Sequence, residues 1–140
     1  MIRLVKVSKR NSHKLGMIRL KGDQVDFVSS ASSSYRSYKS DPSKAHYLVY
    51  DNRKPIGYVM YGVEVDDGKY WLYRFIIDRD CQGKGYGTSV LKKVIDLVPS
   101  KELRSTYLRG NLVMRRLFLK VGFKVTKQRF GREIGVKLTK

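Results

Sequence analysis

The sequence predicts an α+β fold, in which a mixed, mostly antiparallel central sheet is flanked by helices. Short apolar runs bounded by turn residues recur along the chain, as expected for strands. Two further runs carry apolar residues three and four positions apart, as expected for amphipathic helices. The chain has 140 residues, of which 41% are hydrophobic, and this length suits a single domain over residues 1–140 with its own core. The predicted element order is β-α-α-β-β-β-α-β-α-β-β.

The first predicted elements are a strand and a helix. Apolar side chains interrupted by Arg3 and Lys6 predict a strand from Ile2 to Val7. Ser12 is a residue type that caps helices, and it precedes a predicted helix over residues 13–20. The N-terminal third of the chain is therefore expected to begin with one strand followed by one helix.

A second N-terminal helix is predicted to begin at Asp23, another residue type that caps helices. The serine-rich run over residues 29–34 weakens this helix, because serine hydroxyls compete for the backbone hydrogen bonds. The segment that contains Tyr35 and Tyr38, which ends at Asp41-Pro42, is accordingly predicted as an irregular link.

The middle of the chain predicts three consecutive antiparallel strands. Residues 45–50 and 55–61 form a predicted hairpin across the turn at residues 51–54. The residues Asp66-Asp67-Gly68 signal a second turn, and the apolar residues 69–77 predict the next strand.

The second half of the chain predicts two helices and three strands. A stripe of apolar residues predicts a helix over about residues 88–98, which Pro99 ends. Another helix is predicted to open at Gly110-Asn111 and to stop at Gly122. The predicted strands cover residues 102–108, 123–128 and 134–138.

The chain carries a large positive charge, +18 at pH 7. Residues 1–50 contain 10 Lys or Arg against 3 Asp or Glu, residues 51–100 contain 8 against 7, and residues 101–140 contain 12 against 2. The excess of positive charge at the two ends favours an anionic partner, such as a phosphorylated cofactor, nucleic acid or an anionic surface. A general role of surface charge in solubility explains much of the net charge of the chain. It does not explain well why the charge is concentrated at the two ends.

The same totals argue against several protein classes. Cys81 is the single cysteine, so neither a disulfide framework nor a cysteine metal cluster is expected. No apolar run reaches the roughly 18 residues of a membrane span, and the charged N-terminus does not resemble a secretory signal. A cytoplasmic protein without membrane association is the expectation.

A glycine-rich turn separates the strand at residues 69–77 from the helix after it. Glycine occupies every second position in Gln82-Gly83-Lys84-Gly85-Tyr86-Gly87, which lets the backbone turn tightly and approach a ligand. Free N–H groups at the start of the next helix favour an anion. The segment therefore fits a phosphate cradle, although glycine spacing alone fits a plain strand-to-helix turn equally well.

Two segments resemble the GNAT N-acetyltransferase family. The run Phe75–Gly87 is similar to its acetyl-CoA signature, Arg/Gln-x-x-Gly-x-Gly/Ala, through Gln82, Gly85 and Gly87. Residues 111–123 are similar to its Asn-x-x-Ala-x-x-Leu-Tyr-x-x-x-Gly-Phe motif. The residues of these segments most resemble those of bacterial diamine and spermidine N-acetyltransferases. The likeness covers residues 55–123 well and the first 45 residues poorly.

The resemblance implies an acetyl-CoA site and a GNAT fold. The main chain of one strand would pair with the pantetheine arm, the N–H groups of the glycine turn would hold the pyrophosphate, and the side chain of the asparagine that opens the last helix would bind the arm. The implied cofactor-binding residues are Phe75, Ile76, Ile77, Gln82, Gly83, Lys84, Gly85, Tyr86, Gly87, Thr88, Asn111 and Phe118. Basic residues that could meet the phosphorylated ribose, or simply cover exposed helix faces, are Lys84, Lys92, Lys93, Arg115 and Arg116.

The usual proton-handling residues of this family look absent. Relatives often carry Glu or Asp near the position of Tyr73 and a tyrosine at the position of Phe118. One interpretation is catalysis by proximity with a water path. A second gives the role to Tyr73, to Tyr107 or to an acid of the segment Glu64-Val65-Asp66-Asp67. A third is a protein that binds acyl-CoA without efficient transfer.

The favoured function is acetyl transfer from acetyl-CoA to a primary amine, either a small molecule or polyamine or, less favoured, a protein amine. Polyamines are polycations, so a pocket for them should contain carboxylates. The acidic residues among the first 50 are only Asp23, Asp26 and Asp41. The alternative is an acyl-CoA-binding module that docks on RNA or the ribosome through its basic surface. A homodimer is compatible with the family. No metal is expected, because His13 and His46 are isolated in the sequence and Cys81 is interpreted as a small residue that fills space in the core.

Overall fold

The computed structural model of this chain describes residues 1–22 and 29–140. Its centre is a seven-stranded sheet in the order β1-β2-β3-β4-β5-β7-β6. The strands are β1 Ile2–Lys6, β2 Lys44–Asp51, β3 Lys54–Val63, β4 Tyr70–Ile77, β5 Glu102–Leu108, β6 Lys124–Phe130 and β7 Glu133–Thr139. Neighbouring strands are antiparallel except β4 and β5, which run parallel. The predicted α+β class with a mixed, mostly antiparallel sheet is confirmed.

Three α-helices accompany the sheet in the described part of the chain: α1 Ala31–Tyr38, α2 Tyr86–Leu97 and α3 Leu112–Val121. Two short 3-10 helices, Ser12–Met17 and Arg79–Cys81, connect other elements. Within the described residues, no helix is long and apolar enough to cross a membrane.

Side chains on the two faces of the sheet form separate apolar clusters, because successive residues of a strand point in opposite directions. In β2, Val49 joins one cluster while its neighbours Leu48 and Tyr50 join the other. Helices α2 and α3 cover the first face, called here the α2/α3 face. Leu15 and Ala31, from the N-terminal segment, cover the second, called here the α1 face.

The first helical segment is shorter and tighter than predicted. A 3-10 helix spans Ser12–Met17 where residues 13–20 were expected to form an α-helix, and Asn11, not Ser12, occupies the capping position. Leu15 is almost fully buried and Ile18 follows as the C-cap. Apolar spacing over so few residues does not distinguish the two helix types. The helix predicted to begin at Asp23 lies outside the described residues.

The prediction of an irregular link around Tyr35 and Tyr38 was wrong, because this segment belongs to α1. The Ser30 hydroxyl accepts the backbone N–H of Ser33 at 3.1 Å and so caps the helix. Ser34 is buried and receives a hydrogen bond from the Arg74 guanidinium at 3.2 Å. These serines therefore support the helix start and its packing on the sheet instead of competing with the helical backbone.

An ion pair with a buried carboxylate fixes the residue after β4 to the N-terminal segment. The Asp78 carboxylate is 2% exposed and accepts hydrogen bonds from the Arg19 backbone N–H at 2.7 Å and from its guanidinium at 3.1 and 3.2 Å. Burial opposes ionisation of Asp78, but the hydrogen bonds from Arg19 and from the Asp80 backbone outweigh it and lower the pKa of Asp78. The chain therefore enters the glycine turn from a fixed position.

The later elements agree with the sequence predictions to within about two residues. Helix α2 begins at Tyr86, two residues before the predicted start, and Val98 is its C-cap before Pro99. Gly122 ends α3 with a φ of 112°, a conformation that favours glycine.

Candidate active site

The candidate site is a groove formed where β4 and β5 separate. The ladder between these parallel strands contains the single pair Trp71 and Arg104. One residue further on, the buried Ser105 hydroxyl donates a hydrogen bond of 2.8 Å to the Leu72 carbonyl. Beyond this point the strands diverge, and a groove of about 800 Å³ lies between their C-terminal ends. The described residues that line it on β4 run from Leu72 to Ile77.

A β-bulge sits at the point of divergence. Met60 of β3 pairs with Arg74 and Tyr61 pairs with Leu72, which leaves Tyr73 as the extra residue of β4. Tyr73 packs against the α1-face cluster, and Arg74 reaches Ser34 of α1 on that same face. Consecutive side chains of a regular strand would point to opposite faces, so the bulge brings both to one side of the groove.

The glycine turn closes the other end of β4. Gly83 and Gly85 have φ angles of 75° and 82°, and a Cβ atom on either would meet nothing within 4 Å. Their backbone conformation, and not crowding, therefore favours glycine there. Gly85 is the N-cap of α2 and supplies no side-chain cap, so the first N–H groups of α2 are open to an anion. The Gln82 side chain donates to the Ile77 carbonyl at 3.0 Å and braces the turn.

The remaining residues of the turn do not all face the groove. Gln82, Gly83 and Gly87 line it, whereas Lys84, Gly85, Tyr86 and Thr88 do not. The Tyr86 hydroxyl instead donates to Asp51 at 2.6 Å, and this hydrogen bond helps to lower the pKa of that carboxylate. Gly87 has a different role, because a Cβ there would approach the Leu117 side chain to 3.2 Å. It allows α3 to pack closely on the start of α2.

Helix α3 brings Asn111 and Phe118 to the groove. The Asn111 Oδ1 atom accepts the Met114 backbone N–H at 3.1 Å and caps the helix, so its carboxamide is already oriented. Phe118 is 1% exposed and packs against Phe123 with ring centroids 4.8 Å apart. Phe118 is thus part of the apolar wall and has no hydroxyl to exchange a proton.

A tyrosine and a glutamate form a pair beside the bulge. The Tyr73 hydroxyl donates to Glu64 Oε2 at 2.9 Å, and the Lys44 ammonium lies 4.5 Å from the centre of the Tyr73 ring. Burial, together with the hydrogen bond to Glu64, raises the pKa of Tyr73 well above its ordinary value. Tyr73 therefore stays protonated at physiological pH and is suited to passing a proton, not to acting as a phenolate.

A second phenol reaches the groove from β5. Tyr107 is 7% exposed, belongs to the α2/α3-face cluster and lines the groove. No described residue hydrogen-bonds its hydroxyl, and no buried side-chain polar atom in the described part of the chain lacks a partner. The hydroxyl therefore meets the open space of the groove. Tyr73 and Tyr107 thus occupy opposite faces of the sheet.

Glu133, a groove-lining carboxylate, was missed from the sequence. It starts β7, opposite Leu108 of β5, and its Oε1 atom accepts the Thr106 hydroxyl at 3.1 Å. Thr106 points away from the cluster that contains Tyr107, so Glu133 lies toward the α1 face. A single glutamate next to a predicted turn gives no sequence signal, and only the pairing of β5 with β7 brings it to the groove.

The other acidic residues predicted near the acceptor divide into three groups. Asp67 is held by the Trp71 indole at 3.0 Å, and Asp66 is exposed in the turn. Asp41 pairs with Lys44 at 3.6 Å. Asp23 and Asp26 lie outside the described residues.

The cysteine and the histidines occupy separate surroundings. Cys81 is buried and lines the groove, His13 is exposed, and the buried His46 lies 2.6 Å from the Tyr58 hydroxyl through Nδ1. Burial lowers the pKa of His46. Among the residues described here, no group of three His, Cys, Asp or Glu is placed to hold a metal ion.

The family of the chain is decided by a match over most of its length. Residues 14–123 match the Acetyltransferase (GNAT) family. The chain belongs to this family. The separated strands, the bulge and the glycine turn described above thus lie within the part of this GNAT chain that the family match covers.

Individual relatives match a shorter part of the chain. The GNAT chain is 33% identical over 97 residues to a protein named "Probable spermine N(1)-acetyltransferase" from Bacillus subtilis subsp. natto, a match that covers 59% of this chain and 64% of that protein. It therefore spans less than two thirds of the length of this curated relative.

Solved structures share the fold at low sequence identity. An acetyltransferase from Thermus thermophilus superposes with a TM-score of 0.77 at 15% identity, covering 99% of this chain and 97% of the other. The spermidine N-acetyltransferase from Vibrio cholerae, solved with CoA and spermine, gives a TM-score of 0.76 at 14% identity and coverages of 99% and 95%. These likenesses show the GNAT fold.

Proposed function

We propose that this protein transfers an acetyl group from acetyl-CoA to a primary amine by direct attack within a ternary complex. The neutral amine nitrogen forms a bond to the thioester carbonyl carbon, and the bond from that carbon to sulfur breaks. One proton leaves the nitrogen and one proton reaches the sulfur, which gives an acetamide and the CoA thiol. Holding amine and thioester together supplies much of the acceleration.

The observation that carries this proposal is the separation of β4 from β5 just beyond the buried hydrogen bond between Ser105 and Leu72. Beyond Ser105, the backbone of β4 from Tyr73 to Ile77 lies along the groove without β5 as a partner. An extended ligand with amide groups, such as pantetheine, can pair with such an edge as an added strand. The same strand leads to the open N–H groups at the start of α2, which suit a pyrophosphate.

The residues that would hold acetyl-CoA come from β4, the glycine turn and α3, with exposed basic residues beside them. Phe75, Ile76 and Ile77 offer main-chain groups, while the main chain of the glycine turn, residues 82–88, offers N–H groups for the pyrophosphate. Asn111 and Phe118 line the groove from α3. The exposed basic residues Lys84, Lys92, Lys93, Arg115 and Arg116 remain candidates for the phosphorylated ribose.

We assign the proton transfers to the two phenols. Tyr73 keeps its proton and is hydrogen-bonded to Glu64, so it can accept a proton on its oxygen while donating its own to the carboxylate. Tyr107 meets the groove from the other face and can donate to the departing sulfur. In this assignment the two phenols take the place of the acid expected near Tyr73 and of the tyrosine expected at the position of Phe118.

The charges along the groove favour a singly charged amine over a long polycation. Among the described residues that line the groove, one is acidic, Glu133, and four are basic: Lys21, Arg74, Arg109 and Arg132. Glu133 can receive one ammonium group. The further ammonium groups of a polyamine would approach the basic side chains, and like charges repel at this range.

The decisive experiment measures thiol release from acetyl-CoA with a panel of amines, alongside calorimetric binding of acetyl-CoA. We expect turnover with at least one primary amine, and a higher kcat/KM for a monoamine or amino acid than for spermidine. Better use of spermidine would overturn the acceptor assignment alone. Binding of acetyl-CoA without turnover of any amine, peptide N-termini included, would instead support the acyl-CoA-binding module.

A further inference from the structure

A second, smaller pocket lies apart from the groove and shares none of its described lining residues. It has a volume of about 370 Å³ and is lined by Arg3, Val5, Asn11, Lys14, Tyr50 and Arg53. The lining contains three cationic side chains and no carboxylate. Its residues come from β1, from the first 3-10 helix and its N-cap, and from the end of β2 with its turn.

Strand register explains how these residues meet. Arg3 of β1 pairs directly with Tyr50 of β2, so both side chains lie on the same face of the sheet. The Arg3 guanidinium lies 4.9 Å from the centre of the Tyr50 ring, and the Lys14 ammonium lies 5.4 Å from it. Two cations thus converge on one largely buried ring.

The positive charge of this pocket is not balanced within the described part of the chain. The carboxylate nearest in sequence, Asp51, alternates to the opposite face and holds the N-terminal ammonium at 3.2 Å and the Tyr86 hydroxyl at 2.6 Å. Neither Arg3, Lys14 nor Arg53 forms a salt bridge with a described acidic residue.

The loop beside the pocket is held rigid by its own asparagine. Asn11 Oδ1 accepts the Ser8 backbone N–H at 2.8 Å, and its Nδ2 donates to the Lys6 carbonyl at 3.0 Å. These bonds fix the approach of the 3-10 helix that carries Lys14. Arg3 and Lys14 thus meet at the Tyr50 ring without a ligand, which lowers the entropic cost of binding one.

We infer that this pocket binds a compact phosphate-bearing anion, through the cationic side chains of Arg3, Lys14 and Arg53. Two arginines supply planar donors that match phosphate oxygens, and the lysine adds a point charge. The volume suits one or two phosphate groups. Such groups occur both in free polyphosphates and in the backbone of RNA, and the two sources share this recognition chemistry.

The test measures binding of inorganic pyrophosphate by calorimetry and of a fluorescent 12-nucleotide oligouridine by anisotropy, both at fixed salt and with acetyl-CoA at saturation, so that the proposed pyrophosphate site of the glycine turn is already occupied. The pocket variant is Arg3→Gln with Lys14→Gln. The matched control, Lys124→Gln with Lys127→Gln, removes the same charge from exposed positions on β6. We expect the pocket variant to bind pyrophosphate at least tenfold more weakly and the control to change less than twofold.

The RNA arm separates the two sources. A loss of pyrophosphate affinity together with a tenfold loss of oligouridine affinity, both confined to the pocket variant, would place an RNA phosphate in this pocket. A loss seen with pyrophosphate alone would support a free anion. Equal losses in pocket and control variants for both ligands, or unchanged pyrophosphate binding in the pocket variant, would overturn the inference. Arg53→Gln, a single change in an exposed turn, repeats the test if the double variant does not fold.

Discussion

The two ends of the groove differ in the groups that they offer a ligand: backbone groups at one end and side chains at the other. At the proposed cofactor end, one continuous segment, residues 75–88, would bind the ligand through backbone groups, and Gly83 and Gly85 within it adopt φ angles that favour glycine. At the proposed acceptor end, side chains arrive from separate elements: Tyr73 from β4, Thr106 from β5 and Glu133 from β7. A local backbone site leaves a local sequence pattern, whereas an assembled side-chain site leaves none.

The difference also predicts how each end fails. Changes in the glycine turn should weaken binding of acetyl-CoA and leave the chemical step nearly intact. Changes beside the bulge should do the reverse. The predictions below test this division, in order of decreasing expected effect.

Removal of the anchor of the cofactor end should have the largest effect. Asp78→Ala removes the buried carboxylate that accepts hydrogen bonds from the Arg19 and Asp80 backbone N–H groups and from the Arg19 guanidinium, which keeps Asp80 as its other partner. The loss of these charge-assisted hydrogen bonds should destabilise the protein by about 3 kcal/mol. Because the pKa of Asp78 is lowered in the folded state, its ionisation stabilises the protein above the unfolded pKa of about 3.9, and this contribution is lost as pH falls below that value. Chemical denaturation at pH 7 and at pH 3 measures both effects.

The control for the anchor is Asp96→Ala, which removes an exposed carboxylate from α2. It should change stability by no more than about 0.5 kcal/mol. Equal stability of the two variants at pH 7 would mean that the pair of Asp78 with Arg19 does not hold the glycine turn in place.

A side chain in the glycine turn should specifically harm cofactor binding. Gly85 has a φ of 82°, so Gly85→Val strains the backbone by about 1–2 kcal/mol and moves the first N–H groups of α2. We expect the KM for acetyl-CoA to rise about 30-fold, roughly 2 kcal/mol, with kcat changed less than threefold. Steady-state kinetics at saturating amine measures the two constants.

Gly68→Val is the matched control, since Gly68 has a φ of 68° and open space around its Cα, and it does not line the groove. Equal rises in KM for both variants would mean that general loss of stability, and not the turn itself, weakens binding.

Loss of one hydroxyl at the acceptor end should give the smallest effect and the opposite kinetic pattern. Tyr73→Phe removes the donor to Glu64 and should lower kcat about tenfold without raising the KM for acetyl-CoA. This loss is smaller than the roughly 100-fold or more typical of general acid–base catalysis, because proximity still supplies much of the acceleration. Because the pKa of Tyr73 is raised, the wild-type rate should show no ionisation of this phenol between pH 6 and 9. A variant with unchanged kcat would leave proximity and water as the proton path.

The contrast between α1 and α2 shows where sequence reasoning succeeds. Helix α2 carries an apolar stripe that packs on the core, with Val90, Leu91 and Val94 fully buried, and it was predicted to within two residues. Helix α1 has serine at half of its eight positions, and the Ser30 cap and the packing of Ala31, Ser34 and Tyr35 on the sheet stabilise it. Pattern rules cannot register a helix whose stability comes mainly from tertiary contacts.

The amino-acid pattern alone predicts the α+β class, the later strands and helices, the glycine turn and the apolar Phe118 in the last helix. These features are local, because they depend on residues that are neighbours in the chain. Three features follow from the packed fold instead: the bulge of β4 at Tyr73, the hydrogen bond from Tyr73 to Glu64, and the place of Glu133 along the groove. Those contacts join residues from 9 to 27 positions apart, and strand register, which no single segment encodes, brings them together.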